Sequence, residues 1–167
     1  MVRDALESLA RVLEANPEKG RVKNAPARAR LLEGLRCRVE GPNGESLHTD
    51  MPRPMGGAAS ASNPGWLLRA AIASCATTVI AMRAARQGIE LSLLELSVES
   101  MSDNCGLLGL GDVPASLDAM TVRVKIAAPG RTAAELKALA EWGDAHSPVG
   151  CTVRRGLDYA MEVEVCA

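Results

Sequence analysis

The thiols are the side chains in this sequence with the most chemistry available to them. Cys37, Cys75, Cys105, Cys151 and Cys166 are spread along the chain, an odd number with no Cys-x-x-Cys pair. That usage argues against a secreted disulfide framework and fits a reducing compartment. A single thiol acts as its thiolate, a nucleophile toward peroxide oxygen and other electrophiles; once oxidised to a sulfenic acid it condenses with a second thiol to a disulfide. Cys75 stands in the middle of the most apolar stretch, Trp66 to Ala85, and Cys151 closes the run Ala145-His146-Ser147-Pro148-Val149-Gly150-Cys151. Cys37 and Cys166 fall on expected strands, where packing is reason enough for them.

Other chemistries find no support. His146 with Cys75 and Cys151 matches no compact zinc spacing. Adjacent side chains at a helix start diverge, so His146 and Ser147 make no hydrolase pair, and there is no G-x-S-x-G elbow. The glycine-rich stretch from Cys105 to Gly111 lacks the Lys-Ser/Thr of a phosphate loop. No metal or cofactor is expected. Lys plus Arg total 19 against 20 Asp plus Glu, a net charge of −1, and there are two Trp, one Tyr and no Phe. Neither a charged surface nor an aromatic platform for nucleic acid is implied, nor an acidic membrane as partner. Met1 to Glu14 carries Arg3, Asp4, Glu7 and Arg11, so it has no signal-peptide core. Trp66 to Ala85 is interrupted by Arg69 and Arg83 and reads as a buried helix in place of a membrane span. A cytoplasmic location is expected.

The thiols must be positioned by what surrounds them. The 167 residues suit one domain able to bury roughly 70% of its unfolded surface. Residues 1–27 read as an N-terminal helix, with Val2, Leu6, Leu9, Val12 and Leu13 on one face, followed by a connector; residues 28–167 form the main domain. A strand is predicted over 28–40, a turn at Pro42-Asn43-Gly44, a second strand near 45–50 and a loop over 51–62. Asn63-Pro64 opens a long helix that Gly88 ends. A strand over 91–101, an irregular segment over 103–116 and a strand through Val122, Val124 and Ile126 follow. Thr132 with Glu135 makes a capping box for a helix carrying Leu136, Leu139 and Ala140. A short helix over 148–155 and a last strand over 157–166 complete an α+β order.

On the long helix, Leu68, Ala71, Ile72, Val79 and Met82 share a face with Cys75, and Ala70, Ala73, Ala81 and Ala84 make the opposite face small. A helix this apolar around its circumference is expected to be buried on more than one side. Cys75 then has two readings, a packing residue or a nucleophile.

The run Asn63-Pro64-Gly65-Trp66-Leu67-Leu68-Arg69-Ala70-Ala71-Ile72-Ala73-Ser74-Cys75 resembles the signature of the OsmC/Ohr family, in which an Asn/Ser-Pro pair opens a central helix that carries the peroxidatic cysteine. The run from Ala145 to Cys151 is similar to the same family's Cys-Pro-Val segment, and the resemblance covers roughly 28–166. It implies an α+β fold of antiparallel or mixed sheets around a long central helix, in an intertwined homodimer. It also implies a thiol peroxidase: Cys75 attacks a hydroperoxide, a second cysteine resolves the sulfenic acid, and a thiol reductant reopens the disulfide. In the family an arginine stabilises the thiolate and a glutamate after the helix-opening proline holds that arginine. Here Gly65 stands at the glutamate position and Ser147 at the resolving cysteine. Cys151, one helical turn beyond Ser147, is either a displaced resolving thiol or a packing residue beside Val149 and Val153. Arg53, in the loop before the helix, is the first candidate for the activating arginine, with Arg36 and Arg38 as rivals and Asp50 as a candidate anchoring acid. The alternative function is a non-peroxidatic member that binds a small apolar or electrophilic molecule at the dimer interface.

Overall fold

A computed structural model of the chain describes residues 1–166. Its longest element, α2 (Pro64–Arg86), starts at Asn63, whose side chain accepts the Trp66 N–H at 2.8 Å, with Pro64 in the first turn. It ends just before Gly88, whose φ of 66° lets the chain reverse. Before it come α1 (Val2–Ala15) and a three-stranded antiparallel sheet of β1 (Arg28–Leu31), β2 (Cys37–Glu40) and β3 (Ser46–Thr49), in that order. After it come β4 (Leu93–Met101), a single turn α3 (Asn104–Leu107), β5 (Ala119–Ala127), α4 (Ala133–Ala145) and α5 (Pro148–Arg155). The capping box at α4 forms as its sequence requires, Thr132 accepting from the Glu135 N–H and Glu135 accepting from the Thr132 N–H.

The predicted strand over 28–40 is two strands. A turn at 32–36 divides it, with the Leu32 N–H donating to the Arg36 carbonyl at 2.8 Å and Gly34 in the left-handed region at φ 56°. Glu33-Gly34 is the turn signal, and it sets the register Leu31 to Cys37.

β4 and β5 pair antiparallel from Leu93↔Ala127 to Met101↔Ala119. Their alternation places Leu94, Leu96, Val98, Val122, Val124 and Ile126 on the half-buried face, with Glu95, Glu99, Arg123 and Lys125 on the exposed one. α2 packs on that sheet, on α4 and α5, and on α1. The core is Ile80, Ala84 and Leu139, with Ile89, Leu91, Leu94, Leu96, Val124, Ile126 and Ala140 against it. Burial of a side chain such as Ile80 contributes about 1.5–3 kcal/mol.

The expectation of a helix buried on more than one side is corrected in a single copy of the chain. The buried residues of α2 are Ile72, Ala76, Ile80 and Ala84, one ridge at spacing four. Leu68 and Met82, on the Cys75 side, are each 37% exposed. A two-stranded sheet and three helices cover one flank of α2 and leave the other open. By length and composition α2 is apolar enough to cross a membrane, yet its ridge is packed against protein.

The last predicted strand is corrected too. Residues 157–166 are without a ladder partner among the described residues, and Tyr159 and Val165 are 90% and 88% exposed. Leu157, Tyr159, Met161, Val163 and Val165 alternate with smaller or charged residues, a strand pattern, but a strand needs an edge to bond to.

The loop before α2 is tied by one carboxylate. Asp50, buried at the end of β3, accepts from the Met51 N–H at 2.8 Å, the Ala58 N–H at 3.2 Å, the Ser60 N–H at 3.0 Å and the Ser60 hydroxyl at 2.8 Å. Those bonds favour the ionised form and hold its carboxyl below the usual range, the Ser60 N–H most and the Ser60 hydroxyl next.

Two outcomes follow. A Cβ at Gly143 would run into Ile80, whose Cα and N would lie 3.1 Å away, so Gly143→Ala should cost about 1–3 kcal/mol in urea unfolding. An unchanged midpoint would mean that α2 and α4 are not this close. Asp50→Asn should lower the thermal midpoint at neutral pH. Because the folded carboxyl titrates below its unfolded value of about 3.9, the gap from wild type should hold above that pH and close as acid takes the group through its folded value.

Candidate functional site

Cys75 is half-buried on the open flank of α2 and lines a shallow groove of about 530 Å³ with Ser74, Thr78, Val79, Met82, Trp142, His146 and Pro148. The far wall is the junction of α4 and α5. Ser147, between the two lining residues His146 and Pro148, is fully buried and caps α5, its hydroxyl accepting the Gly150 N–H at 3.4 Å. Thus the segment that resembles the family's second motif does face Cys75, but its middle residue is a helix cap with no thiol.

His146, set aside in the sequence as a zinc ligand and as a hydrolase partner of Ser147, is the ionisable side chain that lines this groove with Cys75. Its ring stacks on Trp142 with centroids 3.8 Å apart, and Nδ1 lies 2.7 Å from the Trp142 carbonyl. A carbonyl only accepts, so in the neutral ring Nδ1 carries the hydrogen and Nε2 keeps its lone pair. The Arg83 guanidinium sits over the Trp142 ring, 4.4 Å from its centroid. The His146/Trp142 spacing of four on one helix is the signal in the sequence that this stack was available.

Cys151 is half-buried on α5 and lies outside the lining of the Cys75 groove. Its thiol donates to the Ala145 carbonyl at 3.1 Å, and the Arg154 Nη2 reaches its sulfur at 3.5 Å. Arg154 is itself clamped, Nη1 to the Asp144 carboxylate at 2.9 Å and Nη2 to the Asp144 carbonyl at 2.7 Å. Cys151 first, and Asp144 next, hold the guanidinium proton more tightly than in an ordinary arginine. Asp144 and Arg154 also stand at the rim of a second cavity, about 430 Å³, walled by Ile72, Ala76, Leu96, Val122 and Val124.

The other predicted residues sit elsewhere. Arg53 opens a short 3₁₀ turn (Arg53–Met55), is exposed, and does not line the Cys75 groove. Its neighbours Pro52 and Met55 line a separate cavity of about 670 Å³ with Asn63, Gly65 and Arg69. There Arg69 donates to the Ser100 hydroxyl at 3.1 Å, and a Cβ at Gly65 would lie 3.7 Å from the Arg69 Nη1. Arg38 pairs with Glu40 on its own strand at 2.7 Å. Asp50 as the anchor of an arginine is corrected: its carboxylate bonds are to the 51–60 loop. Within one copy of the chain, the structure therefore brings Cys75 to His146 and Cys151 to Arg154, and brings no arginine or lysine into the Cys75 groove among the described residues.

The profile of the OsmC-like protein family matches residues 57–162. No curated protein matches the sequence. Among solved structures, the organic hydroperoxide resistance protein OsmC of Legionella pneumophila is 24% identical with a TM-score of 0.61, over 83% of this chain and 94% of that one. The OsmC-like protein of Mycoplasma pneumoniae is 17% identical with a TM-score of 0.68, over 81% and 91%. The organic hydroperoxide resistance protein OhrB of Bacillus subtilis is 18% identical with a TM-score of 0.53, over 81% and 94%. The matched span runs from the loop before the Cys75 helix to the segment after α5, and this chain belongs to the OsmC-like family.

Proposed function

We propose that this chain is a soluble, cytoplasmic, thiol-dependent hydroperoxide reductase that works as a homodimer. The observation that carries the reading is the place of Cys75: half-buried, on the central helix, in an apolar groove shared with His146 and the α4–α5 junction. The Cys75 thiolate attacks the outer oxygen of a hydroperoxide; the O–O bond breaks, the alkoxide leaves and takes up a proton, and a sulfenic acid remains. Cys151 then attacks that sulfur, the S–O bond breaks, water leaves, and a small-molecule or protein thiol reductant returns the disulfide to two thiols. His146, with Nε2 free to accept, is the base we assign to the Cys75 proton. Arg53, exposed and with no ion-pair partner among the described residues, is the arginine we assign to Cys75 in the dimer.

The dimer reading draws on two of the apolar surfaces that one copy leaves uncovered: the Leu68 and Met82 flank of α2, and the strand-patterned segment 157–166. An ordering partner for both should bury more than about 2,000 Å² in total. Sedimentation at micromolar concentration should give a single dimer species; a stable, folded monomer there would rule this out.

A second reading has its own support: no arginine or lysine lines the Cys75 groove among the described residues, and an apolar cavity of about 430 Å³ lies behind α2. It is a protein of the same fold that binds a small apolar or electrophilic molecule at the dimer interface without reducing peroxide.

A coupled assay with cumene hydroperoxide and a dithiol separates the two. Wild type should consume the peroxide, Cys75→Ser should fall to the buffer rate, and oxidised wild type should yield a Cys75–Cys151 linked peptide. Forming that bond requires the two Cα atoms to come within roughly 4.4–6.8 Å. Wild type that consumes no peroxide, yet binds an apolar fluorescent probe that Ala76→Trp displaces, would establish the second reading in place of the first.

A further inference from the structure

The proposed cycle needs Cys151 as a nucleophile, and the family signature gives no activating group for a thiol at this position. The structure holds one. Arg154 lies one turn along α5 from Cys151, and its Nη2 is 3.5 Å from the sulfur. The last turn of α4 fixes the guanidinium on its other edges, through the Asp144 carboxylate at 2.9 Å and the Asp144 carbonyl at 2.7 Å. Three bonds on one planar cation leave it little freedom to swing away from the sulfur. The competing interaction is the thiol hydrogen, which goes to the Ala145 carbonyl at 3.1 Å. That bond exists only while the sulfur is protonated, whereas the contact with Arg154 strengthens when the proton leaves. Glu141 lines the same cavity as Asp144 and Arg154 and makes no bond to the sulfur.

We propose that Arg154, clamped by Asp144, is a positioning residue that orients the Cys151 sulfur and stabilises the charge it carries during the resolving attack. The inference rests on the reading of Cys151 as the resolving thiol, but the readiness of its sulfur is measurable without peroxide. In the cycle the Cys151 thiolate bonds to the sulfenic sulfur of Cys75, hydroxide departs and is protonated to water, and no further oxidant is consumed. The arrangement also accounts for a resolving thiol one turn beyond the usual place: Arg154 lies on the same face as Cys151, three residues away, and Ser147 is free to cap α5.

The experiment is alkylation of the reduced, full-length protein by iodoacetamide at neutral pH, with each cysteine followed by peptide mass spectrometry. Side chains of Arg154 and Asp144 are 48% and 41% exposed, so their substitution should leave the fold intact, and circular dichroism checks it. Arg154→Ala should slow labelling of Cys151 on the order of tenfold, the effect of removing one close opposite charge, and leave Cys37, Cys105 and Cys166 unchanged. Arg154→Lys should recover part of the rate, and Asp144→Asn, which loosens the clamp, should fall between wild type and Arg154→Ala. A merely structural role would change labelling at several cysteines or at none. If Cys151 labels at the wild-type rate in both Arg154→Ala and Asp144→Asn, the proposal is overturned. Slower Cys151 labelling in Arg154→Ala, together with no peroxide consumption by wild type, would uphold the Arg154 contact and reject the peroxidase reading, so the two failures are told apart.

Discussion

The contact between Ile80 of α2 and Gly143 of α4 is the constraint from which the rest of the site takes its shape. With no side chain at 143, the two helices meet with Ile80 against the α4 backbone, and Ile80 is fully buried. That crossing fixes the last turn of α4, which carries Trp142 and Asp144, and its C-cap His146, over the middle of α2. The chain then turns through buried Ser147 into α5. The polar groups named beside Cys75 and Cys151 come from within a dozen residues of this crossing, so a shift there would move both thiol environments together.

Ser147 separates two local chemistries. On the side toward the open flank of α2, Cys75 shares an apolar groove with an imidazole stacked on Trp142, and an arginine sits over the same indole. On the other, Cys151 meets a guanidinium held by a carboxylate. In the proposed cycle, a histidine base would serve proton removal at one thiol and a fixed cation charge stabilisation at the other. The separation has a geometric origin: residues 147 and 151 are one turn apart on α5, and helix rise alone carries the second thiol about 6 Å along the axis.

Two of the apolar surfaces left bare by a single copy each have a physical cause. A two-stranded sheet has only enough width to cover one ridge of a helix as apolar as α2. The segment 157–166 carries strand alternation without an edge to join. Exposed apolar area of this kind is what the proposed dimer would cover.

The sequence by itself determined the local elements wherever a short-range rule governs. Asn63-Pro64 and Thr132 with Glu135 start their helices through bonds within one turn, Gly88 ends α2 because only a positive φ reverses the chain there, and β4 with β5 follow from strict alternation. It also placed Cys75 on the central helix and named the family that the matched span shows. Glu33-Gly34 was equally local, but its turn hid inside an apolar-patterned run that reads as one strand. What only the tertiary structure decided were relations between elements: that Asp50 ties a loop, that Arg53 stays away from Cys75 within one copy, that His146 shares the Cys75 groove, and that Arg154 and Asp144 flank Cys151. Periodicity reports which face a residue occupies on its own helix. Which neighbour that face meets depends on how two helices cross, and here the missing side chain at Gly143 sets that crossing.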